Sequence, residues 1–137
     1  VHGLEYRPPN VILLITGGRD FCEAVTTVGI ERDRDLYMAE RVALGFALDF
    51  IAPSSVIAGD ASGADRWAKI WCDRRSISCE VFKADWSRGK RGGPERNQRM
   101  VDMKPDAAVR FPGGDGTADC ARRCERAGIE VFEVVVR

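Results

Sequence analysis

The 137-residue chain is poor in several things that would have announced a function. It has no apolar run long enough to cross a bilayer. It has one histidine, His2, among its first ten residues, to which no role is assigned. Lysine plus arginine (21) equals aspartate plus glutamate (21), so no global field draws the chain to DNA, RNA or a membrane surface; a local basic stretch could still do so. Neither G-x-G-x-x-G nor G-K-[ST] occurs, which argues against an ordinary dehydrogenase or P-loop ATPase. The five cysteines (Cys22, Cys72, Cys79, Cys120, Cys124) form no C-x-x-C pair and are odd in number. Cys120 and Cys124, four apart, share a helix face, but two thiols fall short of the four ligands of a structural zinc site. They read as buried small residues, and no metal site is assigned. The start, Val1 to Pro9, is too short and polar for a signal peptide. The expectation is a reduced, cytoplasmic protein with free thiols.

What is present is alternation. Val1 to Asn10 reads as a tail kept extended by Pro8-Pro9, and residues 11–137 as one domain. Val11 to Ile15 is a continuous apolar run closed by Thr16-Gly17-Gly18, the mark of a strand buried on both faces. Arg34 to Phe50 has apolar residues at helical spacing, stopped by Pro53. Ser55 to Ala58 is a second strand, Ala64 to Arg75 a helix and Cys79 to Phe82 a third strand. Ala84 to Gly93 is a polar, basic loop, and Pro94 opens a short helix to Met103. Asp106 to Phe111 is a fourth strand, Thr117 to Ala127 a helix ended by Gly128, and Ile129 to Val136 a last strand. The pattern predicts an α/β, Rossmann-like fold: a mainly parallel five-stranded sheet with helices on both faces.

In such sheets ligands bind beyond the carboxyl ends of the strands. Three strands end there in glycine-bearing loops leading toward helices: Thr16-Gly17-Gly18-Arg19-Asp20, Gly59-Asp60-Ala61-Ser62-Gly63 and Pro112-Gly113-Gly114-Asp115-Gly116-Thr117. Any one of them can be a plain turn; three on one edge favour an anion site built from backbone N–H groups and helix N-termini. The stretch Asp85 to Met100 adds Arg88, Lys90, Arg91, Arg96 and Arg99, suited to phosphate or carboxylate and, for Arg88 to Arg91, equally to a solvated loop. Arg96 and Asn97, one turn into their helix, are better placed to reach a pocket. Trp86 is a stacking platform for a base, whereas Trp67 and Trp71 read as core or a dimer face. Asp60 and Asp65 are candidates for a ribose hydroxyl or a magnesium ion, and as much for helix capping.

Taken together, these motifs resemble the SLOG superfamily of Rossmann-like proteins, related to the Lonely Guy phosphoribohydrolases and to the DNA-processing protein DprA, and within it the YspA/YpsA-related branch. The matching pieces are Thr16 to Phe21, Gly59 to Asp65, Ala84 to Trp86, Gly93 to Met100 and Phe111 to Thr117. The Lonely Guy signature is P-G-G-x-G-T-x-x-E with an upstream E-R-K-x-x-M. The resemblance implies phosphate binding by Pro112 to Thr117 and places the family's catalytic arginine at Arg96. It also places the catalytic glutamate at Cys120 and its lysine at Asn97. A cysteine cannot stabilise an oxocarbenium-like state or activate water as a carboxylate does. Asp119, one residue along the helix, points elsewhere; Asp85, Asp115 or Asp60 would have to substitute. Three functions follow as expectations. The first is a nucleotide-binding or sensor domain, the second a nucleotide N-glycosidase with a relocated acid, and the third, least favoured, a single-strand DNA binder. Related enzymes commonly dimerise through helices, so a homodimer is also expected.

Overall fold

The computed structural model describes residues 10–137 together with Gly3; the rest of the expected tail, His2 included, lies outside the described residues. The elements run β1 (Ile12–Thr16), α1 (Arg34–Ile51), β2 (Ser55–Gly59), α2 (Ala64–Arg75), β3 (Ser78–Phe82), a 3-10 turn over Trp86–Arg91, α3 (Gly92–Asp102), β4 (Ala107–Arg110), α4 (Asp115–Arg126) and β5 (Val131–Glu133). The strands form one sheet in the order β3-β2-β1-β4-β5, and every pairing is parallel. The fold is therefore the expected α/β, Rossmann-like one.

The alternation of side chains along the strands divides the core in two. Leu13, Ile15, Val56, Ala58, Val109 and Phe111 face α1 and α2, where they meet Leu44, Leu48, Ala64, Ala68 and Trp71. Leu14, Ile57 and Ala108 face α3 and α4, where they meet Met100, Val101, Cys120 and Cys124. Both faces of the central strands are covered, which is why the first strand reads as an unbroken apolar run. All five cysteines are free, and all but the half-buried Cys79 are buried. Trp71 belongs to the core and Trp67 is packed against it, as one of the two expectations had it.

The element boundaries differ from the expected ones in ways that bear on function. The chain between β1 and α1 is a long irregular segment, as the expected bounds of those two elements leave it. It is tied to α1 by a part-buried ion pair in which Arg32 donates from Nη1 and Nη2 to Glu40 at 2.7 and 3.0 Å, while Glu40 also accepts from the Cys22 backbone N–H at 3.0 Å. α1 ends on Ala52 in the left-handed conformation, one residue before Pro53. The basic loop is wound into a 3-10 turn capped by the Asp85 side chain, which accepts from Ser87 N. α3 starts two residues before Pro94, and α4 starts at Asp115, inside the glycine motif, with Gly114 as its N-cap. β5 is only three residues long.

Strand order reverses between β1 and β4: the chain runs outward through β2 and β3, then crosses back to lay β4 on the other side of β1. The crevice beyond the carboxyl ends of strands at such a reversal is the ordinary ligand position of this architecture; here the β1 and β4 loops meet at its base, where Gly18 N donates to the Pro112 carbonyl at 2.9 Å.

Candidate functional site

A cleft of about 610 Å³ occupies this switch point, within the roughly 300–1,000 Å³ of small-molecule sites. Its walls include Gly17, Gly18, Arg19 and Asp20 after β1, Asp65 from α2, Arg96 and Asn97 from α3, and Gly114, Asp115, Gly116 and Thr117 at the start of α4. A side lobe of about 230 Å³ continues past Trp86 and Arg96 to Asp60 and Ser62. The structure thus brings the expected loops to one place, but it gives their glycines different jobs.

Four of the glycines are seats for protein atoms. A Cβ on Gly17 would sit 2.5 Å from the Cβ of Ala64 and 2.9 Å from that of Phe111; one on Gly18 would sit 2.9 Å from the Pro112 carbonyl oxygen. A Cβ on Gly113 would sit 2.2 Å from Thr117 Oγ1. Gly63 is the tightest: at φ +76° a Cβ would come within 2.1 Å of the Gly18 carbonyl oxygen. These residues let the three loops pack on one another. Gly59 makes a similar seat for Arg96 Nη1 and Asp65 Oδ2. Gly114 and Gly116 are different, because a Cβ on either meets nothing within 4 Å. Their missing side chains open space on the cleft.

The helix starts differ in the same way. α2 begins at Gly63 without a side-chain cap of its own, yet an internal anion is already there. Glu23, from the irregular segment, accepts from Gly63 N at 3.1 Å, from Arg66 Nε at 3.0 Å and Nη2 at 2.6 Å, and from Trp67 Nε1 at 2.9 Å. The Arg66 hydrogen bonds, with those from Trp67 and Gly63, pull the Glu23 carboxyl down to about 2. The third glycine loop, after β1, leads into no helix start. α4 alone joins a glycine N-cap, no side-chain cap and an open cleft. Its first N–H groups and the positive end of its dipole face the cleft, and the acid in that first turn, Asp115, makes no capping hydrogen bond to them.

At the floor, Arg96 is nine-tenths buried. Its Nη1 donates to Asp60 Oδ1 at 3.0 Å and its Nε to Asn97 Oδ1 at 3.2 Å. Asn97 Nδ2 donates in turn to the Gly116 carbonyl at 3.2 Å and to Asp119 Oδ2 at 3.0 Å. One asparagine therefore links the arginine to the first turn of α4. Asp65 accepts from Ala61 N at 3.2 Å through Oδ2. Burial raises its carboxyl to about 6, against the opposing pull of Arg96. Asp60 and Asp65 were candidates for a magnesium ion; the Arg96 guanidinium lies beside both of them and supplies the positive charge there.

The structure also bears on two readings of α4. Cys120 is fully buried under the sheet, and hydrogen bonding to Cys124 together with burial holds its thiol above the ordinary range. Asp119 does point elsewhere, and that direction is the cleft. It accepts from Arg123 Nε at 2.9 Å as well as from Asn97, and its pKa is lowered: the Arg123 and Asn97 hydrogen bonds outweigh burial, the largest single influence, which acts the other way. Of the three aspartates named as substitutes, Asp115 lines the cleft, Asp60 lies in the side lobe bound to Arg96, and Asp85 is outside both, spent on capping the 3-10 turn. Lys90, from the basic stretch, also lines the cleft, as do Arg122 and Thr27, which the sequence reading did not name; nothing in the local sequence of those two marks them, since they arrive from separate segments.

Trp86 stands at the mouth, 54 % exposed, with the Arg19 guanidinium 5.5 Å from its ring centroid. Gly92 and Gly93 make room beneath it: a Cβ on either would lie 3.4 Å from the indole. The basic stretch is largely engaged within the protein. Arg88 pairs with Glu95 at 2.7 Å, Arg99 donates to the Lys83 carbonyl at 2.5 Å, and Arg96 turns inward.

The chain matches no protein-family model, no curated protein and no solved structure. The functional reading therefore stands on the cleft. No helix among the described residues is long and apolar enough to cross a membrane. Nor do those residues hold a group of three or more His, Cys, Asp or Glu placed for a metal ion.

Proposed function

We propose that the cleft binds a nucleotide or nucleotide-derived ligand, as a binding or sensor domain, with a phosphate on the first turn of α4 beside Arg96. The observation that carries this reading is the contrast of helix starts: α2 is occupied by Glu23, whereas α4 opens on the cleft with no side-chain cap and two glycines whose side-chain positions are empty. Helix N–H groups bordered by an arginine favour a phosphate over a neutral group. Trp86 and Arg19 then offer a face on which a base stacks. The test is equilibrium binding of nucleoside monophosphates, dinucleotides and cyclic nucleotides, with bound and free pools identified by mass spectrometry. A nucleotide retained unchanged, and lost on Arg96→Ala and Gly114→Asp, supports the reading. Absence of any affinity, or unchanged binding in both variants, overturns it.

A second reading is favoured by one observation, the presence of Asp119 in the cleft wall. It is a nucleoside 5′-monophosphate N-glycosidase in which Asp119, kept anionic, takes the charge-stabilising part that Cys120 cannot. Release of free base by the wild type, abolished in Asp119→Asn and in Arg96→Ala, would select it over simple binding.

The homodimer reading rests on α1. Met38, Val42, Phe46 and Phe50 form an exposed stripe, with Phe46 72 % and Phe50 82 % accessible and their rings stacked at 6.5 Å. In an antiparallel pairing centred on position 44, Met38 meets Phe50 of the second copy and Val42 meets Phe46. Light-scattering masses of wild type and Phe46→Glu test it: a dimer reduced to monomer supports it, and a monomeric wild type overturns it.

A further inference from the structure

The floor of the cleft carries one guanidinium between two carboxylates. Arg96 Nη1 bonds Asp60 at 3.0 Å. Arg96 Nη1 and Asp65 Oδ2 lie 2.4 and 2.7 Å from the position of a Cβ on Gly59, and so at most about 5 Å from each other. Nη2 of Arg96 has no hydrogen-bond partner among the described residues, and since no buried side-chain donor there is left without one, it is open to solvent where the residue lines the cleft and its side lobe. That nitrogen is a donor within reach of a ligand's acceptor. An anion seated on it would join Asp60 and Asp65 around a single guanidinium, an excess of negative charge beside the buried Asp65.

We propose that this floor is a proton-linked oxyanion subsite: a tetrahedral oxyanion, phosphate or sulfate in kind, binds at Arg96 together with one proton taken up by Asp65. The inference rests on the nucleotide-cleft reading and adds how the site balances its charge. Asp65 is the group placed to take the proton. Asp60 already has the direct ion pair with Arg96 and is the more exposed of the two, whereas Asp65 is nine-tenths buried. Around Asp65 stand Arg96 from α3, Asp60 from the preceding turn, the Cys79 thiol from β3, and the backbone N–H groups of Gly59 and Ala61. Arg96 and the two amides hold the carboxylate form; burial and Asp60 oppose it, leaving the empty site balanced near 6. A second anion adds to the opposing side. Linkage then fixes the sign. Below about pH 6 Asp65 is protonated with or without ligand, and binding needs no further proton. Above it, binding draws in a proton, so affinity falls as pH rises, by up to about tenfold per pH unit until the pKa of the bound state is passed.

The experiment is isothermal titration calorimetry of the full chain with inorganic sulfate, which does not titrate in this range, and with adenosine 5′-monophosphate. Each is run at pH 5.5, 6.5, 7.5 and 8.5 in pairs of buffers with different ionisation heats. The expected result is uptake of close to one proton by the wild type with sulfate at pH 7.5, a dissociation constant weakening by roughly tenfold from pH 6.5 to 7.5, and a flat profile for Asp65→Asn. Sulfate binding without proton uptake, or the same slope in Asp65→Asn as in the wild type, overturns the proposal and leaves the nucleotide reading standing. Failure of both probes to bind at any pH overturns the proposal, and the nucleotide reading is then decided by the wider panel of nucleotides. The wild-type proton count stands without the variant, so a poorly folding Asp65→Asn does not weaken the test.

Discussion

The two walls of the cleft are built from the same residue type for opposite purposes. On the β1–α2 side, Gly17, Gly18 and Gly63 have their Cβ positions taken by neighbouring atoms, and Glu23 fills the helix start. On the α4 side, Gly114 and Gly116 face open space, and the helix start has no side-chain cap. A glycine-rich loop therefore says only that something comes close to the backbone. Whether that something is the protein itself or a ligand depends on what the rest of the fold places there.

The comparison is broken most directly at Gly63. Gly63→Ala puts a methyl 2.1 Å from a carbonyl oxygen at φ +76°, and it should cost on the order of 3 kcal/mol or more of stability, read from denaturant unfolding. If Gly63→Ala were as stable as wild type, the claim that this wall is closed by packing would fail. Next in size is Arg96→Ala, expected to weaken nucleotide binding by about 100-fold, the scale of a lost charge-assisted pair of hydrogen bonds; equal affinities would detach the arginine from the site.

Glu23→Gln probes the internal anion. It removes the carboxylate that Gly63 N and Arg66 bond at the start of α2 and should cost roughly 1–3 kcal/mol. The pH dependence has a definite sign. The folded carboxyl titrates near 2, below its ordinary 4.5. Its contribution is thus fully present above about pH 4.5 and lost as pH falls toward 2; Glu23→Gln should remove that part of acid sensitivity, as measured by unfolding midpoints at pH 2 to 6. Asp65 runs the other way. Its folded carboxyl titrates near 6 against an ordinary 3.8. The folded state binds the extra proton between those values, so this residue's contribution falls as pH rises from about 4 to 6, and Asp65→Asn should flatten that decline.

The smallest effect sharpens the contrast. Gly116→Ala lies in the first turn of α4 with open space around its Cβ. It should leave stability unchanged or raise it by up to about 1 kcal/mol, while lowering nucleotide affinity through crowding of the phosphate position. A loss of stability comparable to that of Gly63→Ala would show that the two walls do not differ.

Much of this was legible in the chain. The apolar run of residues 11–15, the helical spacing of Arg34 to Phe50 and the regular alternation that follows set the parallel sheet with helices on both faces, because side-chain periodicity is local and each element repeats it many times. The glycine motifs mark the edge of the sheet where the cleft opens, and Arg96, Asn97 and Trp86 line that cleft. The helix start at Asp115 was missed by two residues, since a glycine N-cap has no side chain to mark it. Asp119 was set aside because helix geometry gives the angle between neighbours but not which angle meets the cleft.

The sequence by itself determined the periods: which segments are strands, which are helices, and that glycines crowd one edge of the sheet. Only the tertiary structure decided which glycines are filled, that Glu23 crosses from a distant segment to occupy α2, that Asp119 and not Cys120 looks into the cleft, and that Arg96 stands between two carboxylates. The physical reason is range. Periodicity acts through bonds between neighbours in the chain, whereas occupancy and charge balance arise between groups that only the folded sheet brings together.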